Sequence, residues 1–380
     1  MIRRSHLALL ALAGCANAPA PGGLGSTTLA RLLDAAHEQT IEASVAAQLK
    51  YGRPIDRLPS VSLAADQARA ATAKALLDSL ATVPRTSLSE SEQISADVLQ
   101  WLLQGAVAAP QYHWLSLRSI TPYQSPLTGE LLFLGRDMPL DSPQARARYL
   151  ARLGDIAALV DTIQAGLTAR AERGIRVPKP EITQIVGTLS AMKIAGAKSP
   201  YAPPPARIAA LPDSARASFT AAIDSTVDGA VNPALARLIT FLGSAYADAA
   251  PDQVGLSQYP GGEAYYRYLV SRNTTLVLAP EAIFQTGLNH LATLEASMDS
   301  LLGVVGFKGT RKEFVAAMNR DPRFLASTPE EVGARYQKYY EAIKPLVPRL
   351  FSKQPQAPAE FRRLNPAEFA QIAGRAGRAT

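Results

Sequence analysis

Histidine is scarce in this chain, and its placement limits the metal chemistry open to it. Four occur: His6, His37, His113 and His290. A catalytic zinc takes three protein ligands and keeps one position for a water, which it acidifies for attack on a carbonyl. Two histidines one helical turn apart, with a glutamate after the first, supply that site compactly. His37-Glu38 begins such a pattern, but the position one turn on is Ile41. The pair therefore reads as polar residues on a helix. His290 has Glu295 five residues further on, which turns the two toward different faces. His113 lies in a proline-rich stretch with Tyr112, Trp114 and Tyr123. Aromatic residues on a connection either line a cleft or pin the connection to the core, and pinning is the expectation here. No catalytic residue and no metal ligand is assigned on these patterns. The Gly-x-Ser-x-Gly elbow of the α/β-hydrolases is missing. Gly22-Gly23-Leu24-Gly25-Ser26 lacks the lysine of a phosphate-binding loop. Carboxylate pairs such as Glu330-Glu331 open helices, where they face the positive end of the helix dipole.

Cys15 is the only cysteine, so neither an internal disulfide nor a cysteine metal cluster can form. Arg3 and Arg4 precede a short apolar run, Leu7 to Ala13, and Leu12-Ala13-Gly14 leads into the cysteine. Residues 1–14 read as a lipoprotein signal peptide, too short to span a bilayer as a mature helix. Leu12-Ala13-Gly14-Cys15 resembles the bacterial lipobox, in which cleavage leaves the cysteine first and its thiol carries a diacylglycerol. Cys15 is thus the expected lipidation site, with the membrane as partner through several acyl chains. Ala16, where inner-membrane retention favours aspartate, points to the periplasmic face of the outer membrane. Residues 15–27 are small, proline- and glycine-rich, and read as a flexible tether.

The formal charge is +7, and +5 without Arg3 and Arg4. The other basic residues alternate with acidic ones, with no basic stripe interleaved with aromatics. No nucleic-acid partner is expected. Hydrophobic residues make up 47% of the chain and aromatics only 7%, with much alanine. That favours closely packed helices. The expected fold is all-α, a multi-helix body over residues 28–358 with long proline-rich connections and no substantial sheet. The segments are legible one by one. Leu29 to Tyr51 carries a helical apolar stripe, and Ser62 to Leu80 follows. Ser89 and Glu92 form a capping box for a helix reaching Gly105, with Ile94, Val98, Trp101 and Leu102 on its inner face. Residues 110–140 read as an irregular or partly extended connection. Ser142-Pro143 opens a long helix to about Arg173, closed by Gly174. A helix follows Pro178 and Pro180, another runs from about Ser214 to Val231, and Asn232-Pro233 starts one ending near Ala250. From Tyr259 to Phe351 at least four helices appear, with capping boxes at Thr310/Glu313 and Thr328/Glu331. Ile283, Leu288, Leu291, Leu294, Met298, Leu301 and Leu302 form one apolar face of a long helix there. Residues 359–380 are basic and sparse in large apolar groups, and are expected to pack poorly.

The stretch from Tyr259 also carries a resemblance. Gly262-Glu263-Ala264-Tyr265-Tyr266, Asn273-Thr274-Thr275, Pro280-Glu281-Ala282-Ile283 with Gly287-Leu288, Gly306-Phe307, Asp321-Pro322-Arg323-Phe324 and Pro348-Arg349-Leu350-Phe351 occur in order. Upstream stand Ala171-Glu172-Arg173-Gly174-Ile175 and Val177-Pro178. Together these resemble domain of unknown function 885, a bacterial zinc-metallopeptidase-like family. The resemblance implies a zinc cofactor and a peptide substrate in a full-length member. It places the metal on a further helix with a His-Glu pair, a Pro-Gly and more histidines, and on a later one with Glu-Gly-Trp. This sequence shows neither, so no zinc ligand carries over and the chain is expected to be incomplete relative to the family fold. Three readings stand: a truncated lipoprotein without peptidase activity by itself, one half of a split zinc-dependent peptidase, or a helical binding or scaffolding lipoprotein.

Overall fold

The computed structural model describes residues 24–122, 125–356, 359, 361 and 363. Among them every regular element is helical and no strand occurs, as the composition and periodicity imply. The chain divides into two compact units, one ending at Leu276 and one beginning at Val277.

The first unit opens with α1, Leu24–Glu42, which starts inside the stretch expected to be a tether. Leu29 and Leu32 on it are buried. The single helix expected to reach Tyr51 is broken instead. Ser44 is extended, and its hydroxyl accepts from the Ala47 N–H to start α2, Val45–Lys50. α3, Leu63–Ala81, is capped by Ser62. α4, Glu90–Ala108, has the Ser89/Glu92 box with both hydrogen bonds made. These helices share one apolar cluster around Leu29, Ala73, Leu80, Leu99 and Leu103. The inner face of α4 is thus Ala96, Leu99 and Leu103, while Ile94, expected inside, is 60% exposed. The apolar periodicity of this helix fits two neighbouring stripes, and the tight approach of α3 selects the one with the smaller residue, Ala96.

The larger cluster surrounds α6, Pro143–Ala171. Its 29 residues make a rod about 44 Å long. Ser142 caps it, Pro143 sits where a missing N–H costs nothing, and Gly174 follows with φ of 74°. Tyr149, Leu153, Ile156, Val160, Ile163 and Leu167 recur every three or four residues on its buried face. Against it lies α9, Asp213–Thr226, and α7, Lys179–Met192, shares the same apolar cluster. α8, Pro205–Ala209, is a single turn between those two. α9 does not stop at the expected boundary. A π-helical turn over Val227–Val231 carries it directly into α10, Asn232–Leu242. Pro233 has no N–H for the carbonyl one turn back and its ring crowds that carbonyl. A wide turn just before it is one way to absorb both problems without breaking the rod. α10 then ends at Leu242, short of Ala250, and α11, Ala245–Asp248, is separate.

Among its described residues the connection 110–140 is irregular, as expected, rather than extended. It contains turns and α5, Leu132–Asp137, and it buries Ile120, Leu127, Leu131 and Leu134. Its backbone is met by side chains from the helices. The Tyr201 hydroxyl donates to the Leu127 carbonyl at 3.0 Å, and the Tyr149 hydroxyl to the Tyr201 carbonyl at 2.9 Å. Arg207 donates to the carbonyls of Gly135 and Met138. Gly135 admits no side chain, because a Cβ there would stand 2.3 Å from the Ala202 carbonyl oxygen.

The second unit contains α13, Pro280–Val304, α14, Arg311–Met318, α15, Pro329–Ile343, and α16, Val347–Leu350. α12, Gly262–Thr274, closes the first unit. The Thr310/Glu313 box is complete. At Thr328 only half of the expected box forms: the Glu331 N–H reaches the Thr328 hydroxyl, but the Glu331 carboxylate accepts from Ser327 N–H instead. No residue from Val277 to Gln356 is buried.

Burial pushes the hydroxyls of Tyr149 and Tyr201 well above the ordinary phenol value of 10.0. The folded state therefore holds protons that the unfolded chain releases. That contribution is fully present below pH 10 and is lost as pH rises above it. Tyr201→Phe is expected to cost about 1–3 kcal/mol at neutral pH by stranding the Leu127 carbonyl. It should also flatten the loss of stability above pH 10. Urea titrations at neutral and alkaline pH read both effects.

Candidate functional site

Of the residues the sequence singled out, Cys15 and the leader lie outside the described residues, as does Tyr123. His37 and His113, the two described histidines of the first unit, are not brought together. His37 is half-buried on α1, with its ring edge-on to Tyr51 at 5.2 Å. His290 is exposed on α13 in the second unit. His113 is only 5% exposed, and its Nδ1 meets the Asp66 carboxylate of α3 at 2.5 Å. Among the described residues no three His, Cys, Asp or Glu side chains form a group able to hold a metal ion. Zinc binding needs three convergent ligands, and the described residues do not supply them.

What the first unit does assemble is a polar and aromatic clamp around residues 112–116. Arg170, near the end of α6, is buried. Its guanidinium donates to the carbonyls of His113 at 2.9 Å, Trp114 at 3.1 Å, Ser116 at 3.1 Å and Gly166 at 3.1 Å. Desolvation lowers its pKa from the ordinary value, against the opposing pull of Tyr246 and Asp66. The Trp114 ring lies 4.0 Å from the Arg173 guanidinium carbon and edge-on to His113 at 4.9 Å. Tyr112 stacks on Tyr265 at 5.0 Å and on Tyr268 at 4.7 Å. The aromatic residues of this connection pin it to the core. Sequence reasoning missed Asp66 and Arg170, which are 47 and 57 residues from His113 along the chain. A buried arginine late in an amphipathic helix was the available signal.

The resemblance residues serve this packing. Gly262 starts α12 where a Cβ would stand 1.7 Å from the Leu256 carbonyl oxygen. Tyr265 is buried in a small cluster with Leu115, Ile175 and Tyr259. Arg272 lies 3.5 Å over Trp101 and donates to its carbonyl, while the Tyr268 hydroxyl donates to the Gly105 carbonyl. α12 is thereby tied to α4. The Tyr259 hydroxyl donates to the Arg176 carbonyl, and burial, with Tyr246 and Glu181 nearby, pushes its pKa up to about 12.

The second unit presents a different feature. α13 has Phe284, Leu288, Leu291, Leu294, Met298 and Leu301 on one side, all exposed. Phe284 is 68% exposed and Leu294 60%. On α15, Tyr336, Tyr339 and Ile343 are exposed as well. Of the tail expected to pack poorly, Phe361 lies against Tyr336 and Tyr340, and Arg363 is 3.4 Å from Glu330. The remainder of that tail is almost wholly outside the described residues.

An all-helical body with a clamped interior and an uncovered apolar helix face defines the class. A family model described as bacterial protein of unknown function (DUF885) matches residues 45–377. The chain belongs to that family. No curated protein matches it. Among solved structures, "the putative lipoprotein from Colwellia psychrerythraea" superposes with a TM-score of 0.75 at 19% identity, over 88% of this chain and 61% of that one. At that identity the likeness shows the fold alone. This chain spans less than two thirds of the length of that relative. Among the described residues no helix is long and apolar enough to cross a membrane.

Arg170→Met is expected to remove four hydrogen bonds to buried backbone carbonyls and to destabilise the first unit by about 3 kcal/mol or more. Urea denaturation reads the loss. Faster amide exchange confined to residues 110–116 would tie it to the clamp.

Proposed function

We propose that this protein is a lipid-anchored envelope lipoprotein of its family whose helical units are walls of a larger assembly, and that by itself it hydrolyses no peptide. The observation that carries this reading is the uncovered apolar side of α13. Six large apolar residues in water on one helix, in a unit whose described residues include none that is buried, amount to a docking surface. Its natural cover is further polypeptide, and the fold relative is longer than the part this chain matches. In this reading the zinc ligands implied by the family resemblance come with that polypeptide, whether on the same chain or another. The anchor rests on Leu12-Ala13-Gly14-Cys15, and the relative's description as a lipoprotein is consistent with it. The expected location is the periplasmic face of the outer membrane.

Purified protein is expected to hold no stoichiometric zinc by mass spectrometry, and to cleave no peptide with or without added zinc. One tightly held equivalent, or cleavage abolished by a chelator, would overturn the reading. Leu294→Asp should change stability by less than about 0.5 kcal/mol and reduce binding of a hydrophobic dye. A loss of about 3 kcal/mol would mean that the face is already covered within the chain. Cys15→Ala should release the protein from membranes on fractionation; unchanged processing and retention would refute the anchor.

A further inference from the structure

In the first unit a cleft of about 280 Å³ opens between the end of α1, the segment before α3, the segment leading into α5, and α6. Its floor is apolar, made by Val45, Leu131, Leu159 and Pro126. Two side chains of opposite charge also line it, Arg69 from α3 and Glu130 from the segment before α5.

Both charges are fixed in place. One Glu130 oxygen accepts from the Ser44 hydroxyl at 2.7 Å and the other from the Val45 N–H at 3.3 Å. Arg69 is hydrogen-bonded to the Asp66 carboxylate and reaches the Ser60 carbonyl at 3.4 Å. Asp66 is in turn held by His113 at 2.5 Å, so the clamp behind the cleft sets the position of its cation. Each group keeps spare capacity. A carboxylate has about four acceptor sites and a guanidinium five N–H donors.

The ligand that matches is small, apolar in its body, and carries an ammonium and a carboxylate. An apolar acid would lay its tail over the spare acceptors of Glu130, and an apolar amine over the spare donors of Arg69, each at a desolvation cost. Size narrows the choice further. Sites for drug-sized ligands run from about 300 to 1,000 Å³, so this cleft accepts something on the scale of one residue. We propose that it binds a free amino acid with an apolar side chain, its ammonium on Glu130 and its carboxylate on Arg69.

Calorimetric titration of the full chain tests this with L-leucine, N-acetylleucine, which lacks the ammonium, and leucinamide, which lacks the carboxylate. Leucine is expected to bind at least about tenfold more tightly than either analogue, the equivalent of about 1.4 kcal/mol for each lost ion pair. Arg69→Gln should weaken leucine while leaving leucinamide unchanged. Glu130→Gln should weaken leucine while leaving N-acetylleucine unchanged. Ser60→Trp places bulk at the exposed mouth and keeps both charges; it should abolish binding with the melting temperature unaltered. No binding of leucine, phenylalanine or methionine at about 10 mM, a level that excludes even weak affinities, overturns the proposal. So does equal binding of leucine and its two analogues, or binding that survives Ser60→Trp. The comparison among ligands uses the wild-type chain, so it stands even if a substitution at Glu130 unsettles α2.

Discussion

The first unit depends on satisfying the backbone of an irregular segment that has been taken out of water. Residues 110–140 contribute Ile120, Leu127, Leu131 and Leu134 to the core, and a segment without long helices carries carbonyls that no helix ladder can pair. Side chains from distant helices take over that task. Arg170 serves the carbonyls of His113, Trp114 and Ser116, Tyr201 serves Leu127, and Arg207 serves Gly135 and Met138. Arginine suits the role because its planar fork presents five donors without requiring an anion. The cost is a cation held away from solvent, which is why its pKa falls.

This arrangement links the helices that the apolar clusters alone would leave separate. The cluster of α1, α3 and α4 and the cluster around α6 are distinct. Asp66 reaches from α3 to His113, and Arg170 reaches from α6 to the carbonyl of the same residue. α12 adds a third connection through Tyr265 and Tyr268 on Tyr112. Polar side chains here specify how apolar layers are joined, a use in which each member must be satisfied for the whole to hold.

The second unit shows the opposite condition. Two of its helices, α14 and α15, are capped by Thr310 and Thr328, and its ion pairs, such as Arg335–Glu331 and Arg311–Asp299, lie at the surface, where they contribute little. Local rules are obeyed and the apolar faces still lack partners. Helices in proteins draw most of their stability from burying such faces, and the described residues of this unit bury none of them.

Much of the secondary structure was legible in the sequence because its causes are local. Ser62, Ser89, Ser142 and Thr310 announce helix starts through hydrogen bonds that span three residues, and Gly174 announces an end through its own backbone angle. The face of α13 was also read correctly as one apolar stripe. What covers a stripe is not a local property. Ile94 and Leu294 have the same chemistry as Leu99 and Leu153, yet only the latter pair meets a neighbour. The break at Ser44 follows from Glu130, which lies 86 residues further on. The π turn at Val227–Val231 joins two helices across the start that Asn232-Pro233 marks in the sequence, because burial of both valines favours one continuous rod. The clamp and the charged cleft escaped sequence reading for the same reason. Asp66, His113 and Arg170, like Arg69 and Glu130, become neighbours only when helices pack. Sequence by itself determined which segments are helical and where they begin. Tertiary packing decided which faces meet, which charges converge and which apolar surface remains open, since those energies depend on groups far apart along the chain.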